Sequence, residues 1–592
     1  MKTLSLPGQP SRRGRGSLRA APGLLRSLRA APGLLWWAGL ALVLVLPVGL
    51  FLLTAFSPRL FDQGSAWLSL GSFEAAIHSG VLQGILDSIL VGALTAVVAV
   101  SVALVLAWWV VRTNLWGRGL WSFLMWAVLL SPSYLVALGW EQVLVSHGAF
   151  WDLGLRAPWL TNLFFGPVGV TFVYITMGVP FAFLAVAPAL AGIGREYEDA
   201  ARIHGAGRIA AWRTLLPMLA PALWAGLALV FAETISDFGV ADTLAATSKF
   251  PLATFTLFNA IDNYPVHFPV AAAVGWFLVA AVGLALLLQA RAIRGRVYAV
   301  LSGRTRNPVR IQLPWWGQVL GLGITGGFFV LALGAPVLGA LTSSLLKQGA
   351  THLAVAELTT TYYLHLFHTG SLIAPLEFSA RMAAIVASIV AVLAVWMAHF
   401  LSRRQAGMGA RLLDLLLLAT IALPGIVLGA GYIFAYNLPF INGIGIHIYG
   451  TALLLGMAYL AGALPTTTRI LVGPLAQVDQ SPVQAARVHG AGPLRAWFAA
   501  VVPIVSRSCL WAWLLTFTAV LFELPVSQML YPPGQFPLSV AITSALATFI
   551  YGPGTAMIVV SIVFALTVVA VALVGFRWLA PRGWRNIAVS RR

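Results

Sequence analysis

Apolar residues run along this chain in long stretches, separated by short segments that hold nearly all of the charge. A helix that crosses the hydrocarbon core of a bilayer needs about 20 mostly apolar residues. Twelve stretches reach that length: 36–56, 86–111, 120–140, 167–190, 217–236, 268–290, 314–345, 378–401, 412–436, 449–470, 503–525 and 553–576. The stretch at 314–345 is long enough to tilt or to continue beyond the membrane. The pattern predicts an all-α polytopic membrane protein with about 12 transmembrane helices. Composition points the same way, with 60% hydrophobic and 9% charged residues, where a soluble domain carries roughly 25% charged.

The charge pattern then sets orientation. Cytoplasmic loops collect Lys and Arg. With the N-terminus inside, the alternate segments hold Arg112 and Arg118, Arg202 and Arg208, Arg294 to Arg310, Arg403 and Arg404, and Arg487 and Arg495. The other side holds only Arg59, Arg156, Lys249 and Lys347. The formal charge of +19 is therefore a topology signal in a multi-pass inner-membrane protein with both termini cytoplasmic, and no nucleic-acid partner is expected. Residues 1–35 form a basic extension in which "SLRAAPGLL" occurs twice in tandem. Its prolines oppose one long helix, and its arginines suit anionic lipid head groups. No cleaved signal peptide is expected, because the apolar run is long and lacks a small-residue cleavage site. The lone Cys509 excludes an internal disulfide or a cysteine cluster.

The chain also repeats itself. "DAARIHGAG" starts at Asp199 and "QAARVHGAG" at Gln484, a separation of 285 (484 minus 199). "LLSPSYLVALGW" around Pro132 parallels "IALPGIVLGAGY" around Pro424, and "FAETISDFG" with Glu233 parallels "LFELPVSQM" with Glu523. Six spans precede a basic linker at 291–313 and six follow it, so the halves, 36–290 and 314–576, are parallel repeats about an axis along the membrane normal. A basic tail, 577–592, closes the chain. Both copies of the phrase fall on the cytoplasmic side, between the fourth and fifth spans of their half. Ser481, Pro482 and Gln484 read as a capping box with proline at the first helical position. Gly205 and Gly490 are expected to stop each helix, and Gly207 and Gly492 to allow a sharp turn into a second short helix ending at Pro217 or Pro503. "GAGRIA" at Gly205 mimics a dinucleotide fingerprint, but no strand precedes it, and no P-loop pattern occurs anywhere.

The two phrases resemble the EAA loop of ABC importer permeases, roughly E-A-A-x-x-x-G followed by L-P. The first copy offers Asp199, Ala200, Ala201, Gly205 and then Leu216–Pro217; the second offers Gln484, Ala485, Ala486, Gly490 and then Val502–Pro503. The resemblance covers nearly the whole chain after residue 36 and is greatest to the fused iron(III)-type permeases, with thiamine permeases next. It implies a chain that binds no cofactor and is not itself an enzyme. In such importers two cytoplasmic ATPase subunits carry ATP and Mg and grip the two loops, and a periplasmic or lipid-anchored binding protein delivers the substrate. Other small solutes, such as phosphonate or a polyamine, stay open as cargo. An ion-gradient-driven secondary transporter is the reading from a different class.

Candidate path or binding-protein contacts are Glu233, Ser236 and Asp237 in the first half and Glu523, Ser527 and Gln528 in the second. An ionisable group inside a span is costly and marks function by default. Paired carboxylates would suit a hard cation such as Fe³⁺, whereas the structural alternative has each acid cap or bond a neighbouring helix. Glu377 and Arg381 read as an intrahelical pair, and His365 and His368 as one face of an amphipathic helix without a third ligand. His204 and His489 sit at matching places before the loop glycines. No metal site and no catalytic constellation is expected in this chain.

Overall fold

The computed structural model describes residues 36–579 except 79, 146–156, 195–202, 206–207, 295–309, 348–356, 403–406, 444, 446 and 480. The N-terminal extension, most of the linker, the tail beyond Leu579, and Asp199, Ala200, Ala201 and Gly207 therefore lie outside the described residues. Among the described residues there is no strand beyond two isolated bridges, Thr113–Ile311 and Leu346–Leu358.

The first half contributes α1 (Trp36–Thr54), α2 (Gly71–His78), α3 (Val81–Arg112), α4 (Arg118–Leu130), α5 (Ser133–Leu144), α6 (Pro167–Gly192), α7 (Arg208–Ser236), α8 (Ala253–Asp262) and α9 (Phe268–Ile293). The second half contributes α10 (Trp315–Leu345), α11 (Thr361–His368), α12 (Gly370–Leu401), α13 (Met408–Ile421), α14 (Gly425–Tyr436), α15 (Ala452–Ala476), α16 (Ser481–Val488), α17 (Pro493–Leu521), α18 (Pro525–Leu530), α19 (Leu538–Ala547) and α20 (Tyr551–Leu579). Nine of these, α1, α3, α6, α7, α9, α10, α12, α17 and α20, are each long and apolar enough to cross a bilayer.

Two of the twelve expected spans are not single helices. The stretch at 120–140 divides into α4 and α5, bent by 97°, and that at 412–436 into α13 and α14, bent by 104°. Proline is the cause. A residue before proline is pushed out of the helical region, and Ser131 and Pro132 are extended, as is Pro424 at the matching place. The expected span at 449–470 forms within α15, which is 25 residues long but carries Thr466, Thr467, Thr468 and Arg469 in its second half. Thr467 and Thr468 return their hydroxyls to carbonyls four residues back. Arg469 meets Asp414 of α13 at 2.7 Å, so neither charge stands alone beside apolar neighbours. A further difference concerns α7 and α17. Each is one continuous helix through Pro217 and Pro221 or through Pro503, with no separate short helix before the span.

The halves cross over. The second legs of the bent pairs do not stay at home: α5 packs on α10 of the other half, and α14 packs on α1. The two crossings are equivalent, since Gly431 minus Gly139 is 292 and Pro424 minus Pro132 is also 292. A Cβ on Gly139 would stand 2.5 Å from the Pro336 carbonyl oxygen, and one on Gly431 would stand 3.0 Å from the backbone of Pro47. Small residues let helix backbones approach this closely where no hydrophobic effect drives helices together. We expect Gly139→Leu to separate α5 from α10 and to lower the yield of monodisperse protein in detergent, read by size-exclusion chromatography. Gly283→Leu, whose Cβ would meet nothing, should leave the yield unchanged.

Candidate translocation site and coupling loops

The second phrase is a helix end, and Gly205 in the described part of the first takes the same turn. Gly205 and Gly490 have φ of +81° and +84°, the left-handed region that glycine adopts freely. Around the second copy the stop is a complete Schellman motif: the Ala491 N–H donates to the Ala486 carbonyl at 3.1 Å and the Gly490 N–H to the Arg487 carbonyl at 3.0 Å. Gly492 differs from expectation. It starts α17 with φ −59° and ψ 160°, which any residue can adopt, so no glycine-specific turn is needed there. The helix α16 packs mainly on α17 and has no buried residue. Gln484 and Ala485 are exposed and Ala486 is half-buried. Beside them stand bare apolar side chains: Val488 is 85% exposed and Leu494 76%. In the first copy, Ile203 and His204 are likewise exposed.

The acids separate into two kinds. Glu523 follows α17 and turns its carboxylate onto the start of α18, accepting from the N–H groups of Val526 at 2.8 Å and Ser527 at 2.9 Å and from the Ser527 hydroxyl at 2.7 Å. Asp237 follows α7 and does the same, accepting from the Val240 N–H at 2.8 Å and from the Ser133 hydroxyl at the start of α5. Their carbonyls match too, accepting from Thr254 at α8 and from Ser539 at α19. The N–H groups that begin α8 and α19, those of Ala253 and Leu538, donate to Ser88 and Ser379, each at 2.8 Å. The structural partner of Glu523 is thus Asp237, at a separation of 286 (523 minus 237), and not Glu233 as letter matching suggests. Asp237 and Glu523 are helix caps. The carboxylates accept what free helix N-termini must donate.

Glu233 is of the other kind. It lies on α7 one turn before Asp237, is exposed, and makes no hydrogen bond or ion pair with any described residue. The position 286 residues on is Ala519, also exposed. On α7 the face of Ala222, Ala225, Leu229 and Glu233 is exposed or half-buried, and on α17 so is the equivalent face of Ser508, Trp511, Leu515 and Ala519. Just past both stripes a sealed core takes side chains from both halves, with Phe238 0%, Tyr134 2%, Leu524 1% and Tyr459 4% exposed.

Of the remaining candidates, Ser236 is half-buried at the end of α7, Ser527 is fully buried in the Glu523 cap, and Gln528 buries an Oε1 without a partner. Glu377 and Arg381 meet at 3.9 Å on an exposed face of α12. His365 and His368 are exposed on α11. Among the described residues no group of three or more His, Cys, Asp or Glu side chains is placed to hold a metal ion. Letter patterns alone missed Ser133, whose hydroxyl ties α5 to Asp237, and Tyr134, although "SPSY" after a proline break announced a helix start.

The caps and the free acid give a direct contrast. Glu523→Ala removes three hydrogen bonds and should cost about 1–2 kcal/mol of stability, read as a lower midpoint in thermal unfolding. Glu233→Gln should stay within about 0.5 kcal/mol, because no described residue bonds to it.

Residues 98–299 match the sequence family described as binding-protein-dependent transport system inner membrane component. The molybdenum transport system permease protein ModB of Escherichia coli is 30% identical over 182 residues, which are 30% of this chain and 77% of that one. The sulfate transport system permease protein CysT of Salmonella typhimurium is 28% identical over 200 residues, 33% of this chain and 69% of the relative. The ferric transport system permease protein FbpB of Actinobacillus pleuropneumoniae is 24% identical over 406 residues, 66% of this chain and 56% of the relative, so the likeness runs across both halves. An all-helical multi-pass bundle, long apolar spans and this match together make the chain a member of the binding-protein-dependent inner-membrane transport components, the permease subunits of ABC importers.

Proposed function

We propose that this permease carries both transmembrane halves of an importer, 36–290 and 314–576, and moves iron(III) inward from a periplasmic or lipid-anchored binding protein. Two cytoplasmic ATPase subunits, which hold the ATP and Mg, would grip the loops at 199–207 and 484–492. Both termini would be cytoplasmic, as the Lys and Arg distribution supports. The observation that carries the coupling role is α16, a polar-fronted helix with no fully buried residue and with Val488 and Leu494 uncovered beside it. An apolar patch rimmed by polar groups marks a docking surface. A helix packed mainly on α17 can also pass a push into it.

The cargo class rests on Glu233. The exposed stripes of α7 and α17 are read as facing walls of the pathway, since α7 packs chiefly on α3, α6 and α9, α17 packs chiefly on α12, α15 and α16, and no substantial contact joins the two. An unpaired carboxylate in a spanning helix belongs in a water-filled interior. A lone negative charge there attracts cations and repels oxyanions, which favours the ferric relative's cargo over the sulfate and molybdate of the others. The carboxylates at the caps are already occupied, so the cargo would pass one acid and would not be caged by several. Transport without tight holding fits that sparse arrangement.

Three outcomes test this. ATPase activity of the reconstituted complex should rise with an iron(III)-loaded binding protein and stay flat with sulfate- or molybdate-loaded ones. Glu233→Lys should reduce iron uptake at least about tenfold, the size expected when a repulsive charge replaces an attractive one on a pathway wall, with the ATPase still bound. Gly205→Leu with Gly490→Leu should uncouple ATP hydrolysis from uptake or release the ATPase; normal transport with the ATPase bound would refute the loop assignment.

A further inference from the structure

Arg112 ends α3 with a buried charge. It is 3% exposed, and its guanidinium Nη1 donates to the Ile193 carbonyl at 2.7 Å. Ile193 is the buried residue that caps α6, and the first repeated phrase begins six residues on, at Asp199 (199 minus 193). The end of one span is thus pinned to the exit of another. The backbone of Arg112 is pinned in turn by chain that leads into the second half. Its carbonyl accepts from the Ile311 N–H at 2.8 Å, and the Ile311 carbonyl accepts from the Asn114 N–H at 3.1 Å, which makes the parallel bridge of Thr113 with Ile311. The Asn114 side chain extends the join: Nδ2 donates to the Gln312 Oε1 at 2.6 Å, and Oδ1 accepts from the Leu313 N–H at 2.8 Å. Gln318, buried in the first turn of α10, donates to the Asn114 carbonyl at 3.2 Å and accepts from the Trp116 N–H at 3.1 Å. One turn further along α10, a Cβ on Gly321 would stand 2.7 Å from the side chains of Leu115 and Trp109.

The described end of the linker is therefore no slack tether. It is sewn to the turn between α3 and α4, and the same turn carries the arginine that reaches α6. A bond from a guanidinium to a carbonyl is charge-assisted, and a buried carbonyl stripped of its donor costs more than the bond itself gains. While the linker fixes the backbone of Arg112, the reach of that side chain fixes where α6 ends and where the first loop sets out. We propose that Arg112 is a positioning residue for the first coupling loop, kept in register by the docked linker at 310–313. The start of α10 in the second half and the loop of the first half then move as one piece. The proposal rests on the loop at 199–207 being the ATPase's grip, and it is independent of which cargo passes.

Ile203 and Val488 hold equivalent places in the two loops (488 minus 203 is 285) and are 83% and 85% exposed, so each can carry a spin label clear of the core. In a Cys509→Ala background, Ile203→Cys and Val488→Cys each give one labelled thiol on the full chain, read by electron paramagnetic resonance in lipid nanodiscs. We expect Arg112→Met to raise the mobile fraction at position 203 about fivefold, the shift that loss of one hydrogen bond of ordinary net strength makes in a population, and to leave position 488 unchanged. Arg112→Lys, which keeps the charge but not the guanidinium fork, should restore part of the order. Asn114→Ala spares Arg112 and unpicks the linker at a half-buried site, so it keeps the test open where Arg112→Met does not fold; it should mobilise position 203 in the same direction by less. The affinity of the purified ATPase subunit for the Arg112→Met permease should fall in step, again about fivefold. A merely structural role for Arg112 would lower the unfolding midpoint and move both labels or neither. No change at 203, or an equal change at 488, overturns the positioning role, and an unmoved 203 in Asn114→Ala overturns the linker's part in it. Mobilisation at 203 with ATPase affinity unchanged overturns instead the assignment of the loop as the ATPase's grip.

Discussion

Helix breaks inside an apolar bundle leave N–H and C=O groups with no water to bond, and the fold depends on how this chain answers that constraint. It breaks helices at Pro132 and Pro424 and again after α7 and α17. Each later break receives a carboxylate, Asp237 or Glu523, that accepts from the backbone of the next turn. Ser88 and Ser379 accept from the starts of α8 and α19. Proline makes the first pair of breaks cheaper, because it carries no N–H of its own. With these groups satisfied, irregular backbone can lie at the centre of the molecule, where the halves meet. Without them, every one of those turns would carry an unmet hydrogen bond in a dry interior.

The same constraint sorts the acids by duty. A carboxylate already holding two or three donors is stabilised where it is and has little left for a passing ion. Asp237 and Glu523 are spent in this sense, and Glu233 is not. A permease gains from that division. Under the proposed function, rigid turns would keep the core between the halves in shape while an acid outside the caps, Glu233, would bias what passes without trapping it.

How much of this was legible in the sequence follows from what each signal encodes. Spans were legible because membrane burial demands long apolar runs, and Gly205 and Gly490 because a left-handed helix stop in a polar island is hard to mistake. The bends were not read, although Pro132 and Pro424 were in view: a bent pair and a straight span have the same apolar pattern, and only packing on the opposite half rewards the bend. The pairing of Glu233 with Glu523 went astray because identical letters outranked helix geometry. The capping duty had passed to an aspartate four residues on, and what fixes that position is where α7 ends.

The exchange of α5 and α14 between halves has a bearing on how the molecule is made. During synthesis α5 emerges long before α10, the surface it packs on, and α1 waits for α14 until more than two thirds of the chain has been made. Neither half can complete its own core when it leaves the ribosome. Contacts this distant in sequence are slow to form and leave sticky surfaces bare meanwhile. Joining the halves in one polypeptide shortens that interval, because each exchanged helix finds its seat within the same molecule at high effective concentration and need not search the bilayer for a second subunit.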